Sequence, residues 1–290
     1  MPRVICAGHL NWDVTLRVAA LPDPDGEVSV EERRSGGGGS AANVATGLSD
    51  LDVETSLLGS VGDDEHGRQA LDELVADDVD IEDVRTVSAM ETTTKYIVVE
   101  PSGEVMVLGC PGANEAFDAD DLSDPRLAAA DHLHLTSQRP ETAARLAERA
   151  KEHGVPVSFD PGRRIGERGY GPALTSVDYL FLNDREAALA LDAFDLEEQT
   201  LVLKHGPDGA EVRRPGDGPT AHPGYPIDVV DTTGAGDAFA AGFIAARVGD
   251  ADDHRALAVA NACGALASKV PGARTSLAWD RIRAFLGERT

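Results

Sequence analysis

The feature that most restricts the fold is an alternation of short β-branched runs with helical segments along most of the chain. Residues 4–7, 55–59, 132–135, 155–159, 179–182 and 201–204 read as strands, and 40–50, 65–77, 141–153 and 184–191 as helices. Strands separated by helices need crossover connections, which give a mostly parallel sheet covered on both faces. The expected class is therefore α/β. The final third adds a strand at 210–213 and helices at about 235–248, 252–269 and 278–287. One stretch breaks the alternation. Residues 92–108 hold two alternating runs, TTTKYIVVE and VMVL, joined by Pro101-Ser102-Gly103, which signals a hairpin and not a crossover. With the segment at about 12–35, the segment at about 90–112 is expected to form a small β-lid. No polar stretch is long enough to link two domains, so 1–290 reads as one domain carrying that lid.

The most informative motif is Asp231-Thr232-Thr233-Gly234-Ala235-Gly236-Asp237-Ala238-Phe239. It ends a strand-like run, Ile227-Asp228-Val229-Val230, and opens an apolar helix. Small residues at 234–236 let backbone approach a ligand, and the free N–H groups of a helix start attract anions. Gly234, Ala235 and Gly236 thus suit a phosphate cradle. A carboxylate inside such a cradle repels phosphate, so Asp237 must address something between itself and the phosphate, such as a hydroxyl whose proton it takes. A second glycine run, Gly36 to Gly39, leads directly into the helix former Ser40-Ala41-Ala42-Asn43-Val44-Ala45, and so is read as opening a helix, with Ser40 as its cap, and not as a linker.

Composition decides the class of partner. The chain has 26 basic and 51 acidic residues, a formal charge of −25, and only four of the bases are lysines (95, 151, 204, 269). Phosphate-backbone binding to nucleic acid and adsorption to anionic membranes are excluded by that sign. An acid-rich, lysine-poor surface suits a cytoplasm of molar salt, where a screening length of ~3 Å removes most self-repulsion. Cysteines 6, 110 and 263 are too few and too scattered for a disulfide framework or a zinc site. His132 and His134 share one face of a strand and, lacking a third ligand, read as core residues; Trp12 and Trp279 read as packing. Apolar runs are short and no basic segment precedes one near Met1, so a soluble, cytoplasmic protein is expected.

The string 231–239 resembles the C-terminal signature of the ribokinase-like (PfkB) carbohydrate kinases. Residues 36–45 (GGGGSAANVA) resemble the family's N-terminal signature, and 59–67 its Gly-x-x-Gly-x-Asp-x-x-Gly element, so the resemblance spans the chain. It implies a ribokinase-like three-layer fold with Asp237 as catalytic base and the 234–236 turn as anion hole. A helix start lowers a carboxylate's pKa and so weakens the base, but phosphoryl transfer through a loose transition state asks little of it. By the same resemblance Gly38, Gly39 and Asn43, with Asn11 and Asp13, would hold the sugar hydroxyls.

On the nucleotide side, Asn183 and Glu186 match the family's Asn-x-x-Glu, which organises Mg²⁺ through water around ATP; the same spacing is also a helix capping box, and both can hold. Residues 204–209 match a turn beside the nucleotide, giving roles to Gly206 and Gly209, with Lys204 where the family usually has threonine. Asn261 and 271–273 match the adenine-flanking region. Asp231 and the Thr233 carbonyl match a site for a monovalent cation such as K⁺. The family also implies a homodimer through the lid.

The acceptor is the least determined part. Ser40 replaces a lysine common in ribokinase-type chains. Residues 160–164 resemble the Asp-x-Asn-x-Arg element of fructokinase and 2-keto-3-deoxygluconate kinase relatives, with Arg164 in register and Gly162 in place of Asn. A neutral sugar of the ribose, fructose or 2-keto-3-deoxygluconate type comes first. A sugar phosphate (ribose 1-phosphate or a fructose phosphate) or a nucleoside comes next; a charged acceptor would draw on Arg139, Arg163, Arg164 and Lys95. A non-catalytic sugar or nucleotide sensor would have lost Asp237 or the glycines. A dinucleotide enzyme would need Gly-x-Gly-x-x-Gly after the first strand, where Gly8-His9-Leu10-Asn11-Trp12 stands.

Overall fold

The computed structural model describes residues 1–23, 25–101 and 105–287; Ser102 and Gly103, expected to turn the hairpin, lie outside the described residues. Its strands are β1 Arg3–Ala7, β2 Asn11–Val18, β3 Val30–Gly38, β4 Glu54–Gly62, β5 Val79–Asp80, β6 Val84–Val87, β7 Thr94–Val99, β8 Val105–Cys110, β9 His132–Thr136, β10 Val157–Asp160, β11 Tyr179–Asn183, β12 Thr200–Lys204, β13 Ala210–Arg213 and β14 Thr220–His222. The helices are α1 Ser40–Asp50, α2 Glu65–Ala76, α3 Asp124–Ala128, α4 Pro140–Glu152, α5 Gly171–Leu174, α6 Asp184–Ala193, α7 Ala235–Val248, α8 Asp253–Ser268 and α9 Trp279–Phe285.

The main sheet runs β14-β13-β12-β11-β10-β9-β1-β4-β5, with β6 also paired to β4. Strands β5 to β12 along this path are parallel, and only β13 and β14 run antiparallel at one edge. The central strands are buried on both faces, as their near-continuous apolar sequences require. One apolar cluster joins α1, α7 and α8 to one face; the other joins α4 and α5 to the opposite face. The carboxyl ends of parallel strands therefore gather along one edge, where open α/β sheets bind ligands.

The separate four-stranded sheet, in the order β3-β2-β7-β8, is the expected lid. Its alternation sorts β2 into two faces. Trp12, Val14 and Val18 are buried, and Trp12 stacks on His66 at 5.4 Å, while Asp13, Thr15 and Arg17 point the other way. The glycine run differs from its reading in sequence. Gly36 to Gly38 belong to β3, with Asp13 paired to Gly36, and the N-cap of α1 is Gly39, at φ 98° and without a side-chain cap. Ser40 is thus the first residue inside the helix, and its hydroxyl is free for another partner. The expected core histidines are confirmed: His132 and His134 are buried and both meet the Ser158 hydroxyl, at 2.7 and 2.8 Å. Burial pushes their pKa values down, to about 3 and about 4, so both rings are neutral.

Candidate active site

The start of α7 is built for close backbone approach. Gly234, its N-cap, is left-handed at φ 74°, and a Cβ there would overlap the Ala273 carbonyl. Upstream, the Asp231 carboxylate accepts the Thr233 N–H and the Gly272 N–H, each at 2.9 Å. These bonds fix the 231–236 turn against the 271–273 loop and hold the Asp231 carboxyl below its ordinary pKa, although burial opposes them. Asp237 follows in the first turn of α7. Its Oδ2 accepts the Asn43 amide at 2.8 Å, and the Ser40 hydroxyl also reaches it.

Burial, reinforced by the nearby Asp160 charge, raises Asp237 to about 6, against the lowering by Asn43, Lys204 and Ser40. The expectation that the helix start would leave a weak base is thus overturned, because desolvation outweighs the helix dipole at this position. A carboxylate with a pKa near 6 is mostly ionised at neutral pH and still accepts a proton well.

Lys204 flanks Asp237 on one side. Its Nζ bonds Asp160 Oδ2 at 2.6 Å and lies 3.7 Å from where a Cβ on Gly236 would stand. Burial alone would lower its pKa, but Asp160 and Glu186 together hold it above the ordinary lysine value, so it stays charged. Asn183 and Glu186 form the capping box in full: Asn183 Oδ1 accepts the Glu186 N–H and Glu186 Oε2 accepts the Asn183 N–H, both at 2.9 Å. Burial and Asp160 raise Glu186. Gly206 and Gly209 form the turn between β12 and β13, as the sequence indicates.

On the other side, Arg274 Nε donates to Asn43 Oδ1 at 3.1 Å, which fixes the Asn43 amide with its NH₂ toward Asp237. Arg274 Nη1 lies 3.4 Å from Glu73 Oε2, and that oxygen accepts the Gly37 N–H of the lid at 2.7 Å. A continuous polar chain thus joins lid, α2, α1 and Asp237. The Asp13 carboxylate leans over Gly38, where any Cβ would overlap it, and burial raises its pKa against Lys95 and Arg274. Asn11 accepts from the Asn114 amide. Asn11 Nδ2 and Asp13 Oδ1 are buried without a protein partner, so one donor and one acceptor are left over for a ligand.

Two expected site residues already hold partners within the chain. Asn261 is buried in α8 and gives one amide N–H to the Leu257 carbonyl one turn back, at 2.8 Å, while Gly264 one turn further on packs against the Ala235 carbonyl at the start of α7. Arg164 is 58% exposed on a short 3₁₀ turn and pairs with Glu167 at 3.8 Å. Conversely, Arg274, Glu73 and Asp160 join the site without having been singled out. Arg274 directly follows the 271–273 loop and Asp160 is the first residue of the 160–164 element, so one lay beside a recognised motif and the other within one. Glu73 carried no signal, being one acidic residue on a polar helix face.

A doubly wound sheet with a carboxylate at a glycine-bound helix start, under a separate β-lid, defines a class of phosphotransferase, and the comparisons agree. The pfkB family carbohydrate kinase model matches residues 1–280, and the chain belongs to that family. It is an ATP-dependent kinase with an alcohol group as acceptor. A protein of Halopiger xanaduensis described as an ATP-dependent ribose-1-phosphate kinase is 54% identical over 295 residues, covering 100% of this chain and 99% of that one. A Klebsiella pneumoniae fructokinase is 34% identical over 276 residues, covering 83% of this chain and 88% of its own. The structure of Arabidopsis thaliana ribokinase complexed with ribose and ATP superposes with a TM-score of 0.86 at 25% identity, covering 98% of both chains.

Proposed function

We propose that the chain transfers the γ-phosphoryl group of ATP to the 5-hydroxyl of ribose 1-phosphate. The observation that carries the chemistry is Asp237, held by Asn43 at 2.8 Å inside a glycine-bound helix start. The hydroxyl proton passes to the Asp237 carboxylate, the oxygen bonds to the γ-phosphorus, and the bond to the β-phosphate oxygen breaks as ADP leaves. The N–H groups at 234–236 and Lys204 would stabilise charge on the transferring group. Retention of the base and both glycines speaks against a non-catalytic sensor. The 54% relative moves the acceptor from a neutral sugar to a sugar phosphate, and the primary hydroxyl is the one at the far end of the pentose from the anomeric phosphate.

Glu186 keeps one carboxylate oxygen outside its capping bond, with Asp160 close by. That pair of carboxylates fits the outer shell of a Mg²⁺ that keeps most of its waters. When bound with ATP, Mg²⁺ would neutralise phosphate charge. Asp231 and the Thr233 carbonyl, tied to Gly272, suit a monovalent cation such as K⁺, since each Asp231 oxygen retains a lone pair beyond its N–H bond. No described helix is long and apolar enough to cross a membrane, and we place the enzyme in the cytoplasm, where ATP is supplied.

The test is ADP formation in high KCl with ribose 1-phosphate, ribose, fructose, 2-keto-3-deoxygluconate and nucleosides as acceptors. Ribose 1-phosphate should give the highest kcat/KM, and a hundredfold preference for another acceptor would refute the reading. Asp237→Asn should lose at least a thousandfold in kcat while ATP still binds.

A further inference from the structure

The inner face of the lid is unusual for so acidic a chain. Parallel pairing sets Lys95 beside Asp13, and antiparallel pairing sets Arg34 beside Thr15, so Lys95, Arg34 and Arg17 share the face that carries Asp13. A cavity of about 230 Å³ opens under this face, bounded by Asp13, Thr15, Arg17 and Arg34 on the lid and by Arg274 below. Neither Asp237 nor Lys95 lines it, although Lys95 is paired with Asp13, which does. It shares Asp13 with the expected sugar site and is closed on its other side by Asp231, Thr233 and residues 271–273.

Most of the acids nearby are already engaged. Asp231 accepts two backbone N–H groups, and Glu73 Oε2 accepts the Gly37 N–H beside Arg274. Glu32 is shared between Arg34, at 2.6 Å, and Arg17, at 3.6 Å. Two of the donors keep unspent groups. Arg274 Nη2 is buried without a hydrogen-bond partner, and Lys95 has no carboxylate within 4.0 Å among the described residues. Lys204, the cation on the nucleotide flank of Asp237, is separately committed to Asp160. A reaction between two anions needs two such cation sets on opposite sides of the transferred group.

We propose that Arg17, Arg34 and Lys95, with Arg274 beneath them, form the subsite for a phosphate already carried by the acceptor sugar. This rests on the sugar-phosphate reading above. It fixes the direction of the substrate, with its phosphate under the lid and its free primary hydroxyl at Asp237.

The test compares wild type with the triple variant Arg17→Ala/Arg34→Ala/Lys95→Ala at fixed KCl, after circular dichroism and Tm show both folded. KM for ribose 1-phosphate should rise at least thirtyfold, with KM for ATP within threefold of wild type. A rise of less than threefold, or a loss that falls on ATP instead, overturns the subsite. Titration with inorganic phosphate separates this from the acceptor reading. Should wild type phosphorylate ribose but not ribose 1-phosphate, the acceptor reading fails, while phosphate binding that weakens tenfold in the triple variant still upholds an anion subsite. Equal phosphate binding by the two proteins overturns the subsite whatever the acceptor.

Discussion

At the residue scale, the carboxyl of Asp237 ties burial to pH. Because its folded-state pKa lies near 6, above the ordinary 3.8, kcat/KM should climb about tenfold per pH unit below 6 and level above it. A profile that stays level down to pH 4.5 would remove Asp237 as the base. The same shift has the opposite sign for stability. The folded chain holds the proton more tightly than the unfolded chain, so the contribution is favourable at low pH and is lost as pH rises from about 3.8 through 6. Asp237→Asn should therefore melt no lower than wild type at pH 7, which a thermal scan would check. The reading of Asp237 itself was legible in the sequence, because its neighbours at 231–239 are local. Arg274 was not, since its partner Asn43 stands 231 positions away and only the fold brings them together.

At the element scale, the small residues along α7 are as informative as its glycine-bound start. Helices α7 and α8 meet at Gly242, where a Cβ would stand 2.6 Å from Cys263 Sγ and 3.1 Å from the Ala260 Cα. Gly242→Val should cost about 1–3 kcal/mol by overpacking, read as a lower urea midpoint with unchanged slope. Most elements were legible because strand and helix periods differ and the turns between them are short. Strand β3 was one exception, beside the short β5, β6 and β14. Glycine carries no periodic signal, so nothing in Gly36 to Gly38 distinguishes strand from loop until pairing with β2 is seen. The apolar strand β8 has the opposite character. Its pattern was plain, yet Val105, Met106, Val107 and Leu108 are all exposed, at 53, 39, 45 and 54%. An apolar edge strand open on both faces invites pairing with another chain. We propose that a second copy covers it through the lid. Val107→Lys/Leu108→Lys should halve the mass seen by sedimentation equilibrium; an unchanged mass would oppose that arrangement.

At the scale of the whole molecule, the charge of −25 and the four lysines take on a distribution. Two of those lysines, Lys95 and Lys204, stand near Asp13 and Asp237. Elsewhere acids crowd the surface, and long-range repulsion would slow the approach of ATP in dilute buffer. Molar KCl should therefore raise Tm and leave the apparent KM for ATP within about threefold. A Tm independent of KCl between 0.1 and 3 M would show that the acidity carries no salt requirement.

The contact between Gly38 and Asp13 bears on how tolerance to substitution is read in this cleft. Asp13 stands where a side chain at 38 would have to go, so the glycine is dictated by the lid strand alongside it before any sugar arrives. A mutational scan would then score Gly38 and Asp13 as equally intolerant for unlike reasons. Gly38→Ala should unseat the lid and lower its protection from hydrogen exchange even without ligand, whereas Asp13→Asn should leave exchange alone and act on the acceptor. Intolerance alone cannot tell a residue that touches substrate from one that only leaves room for it.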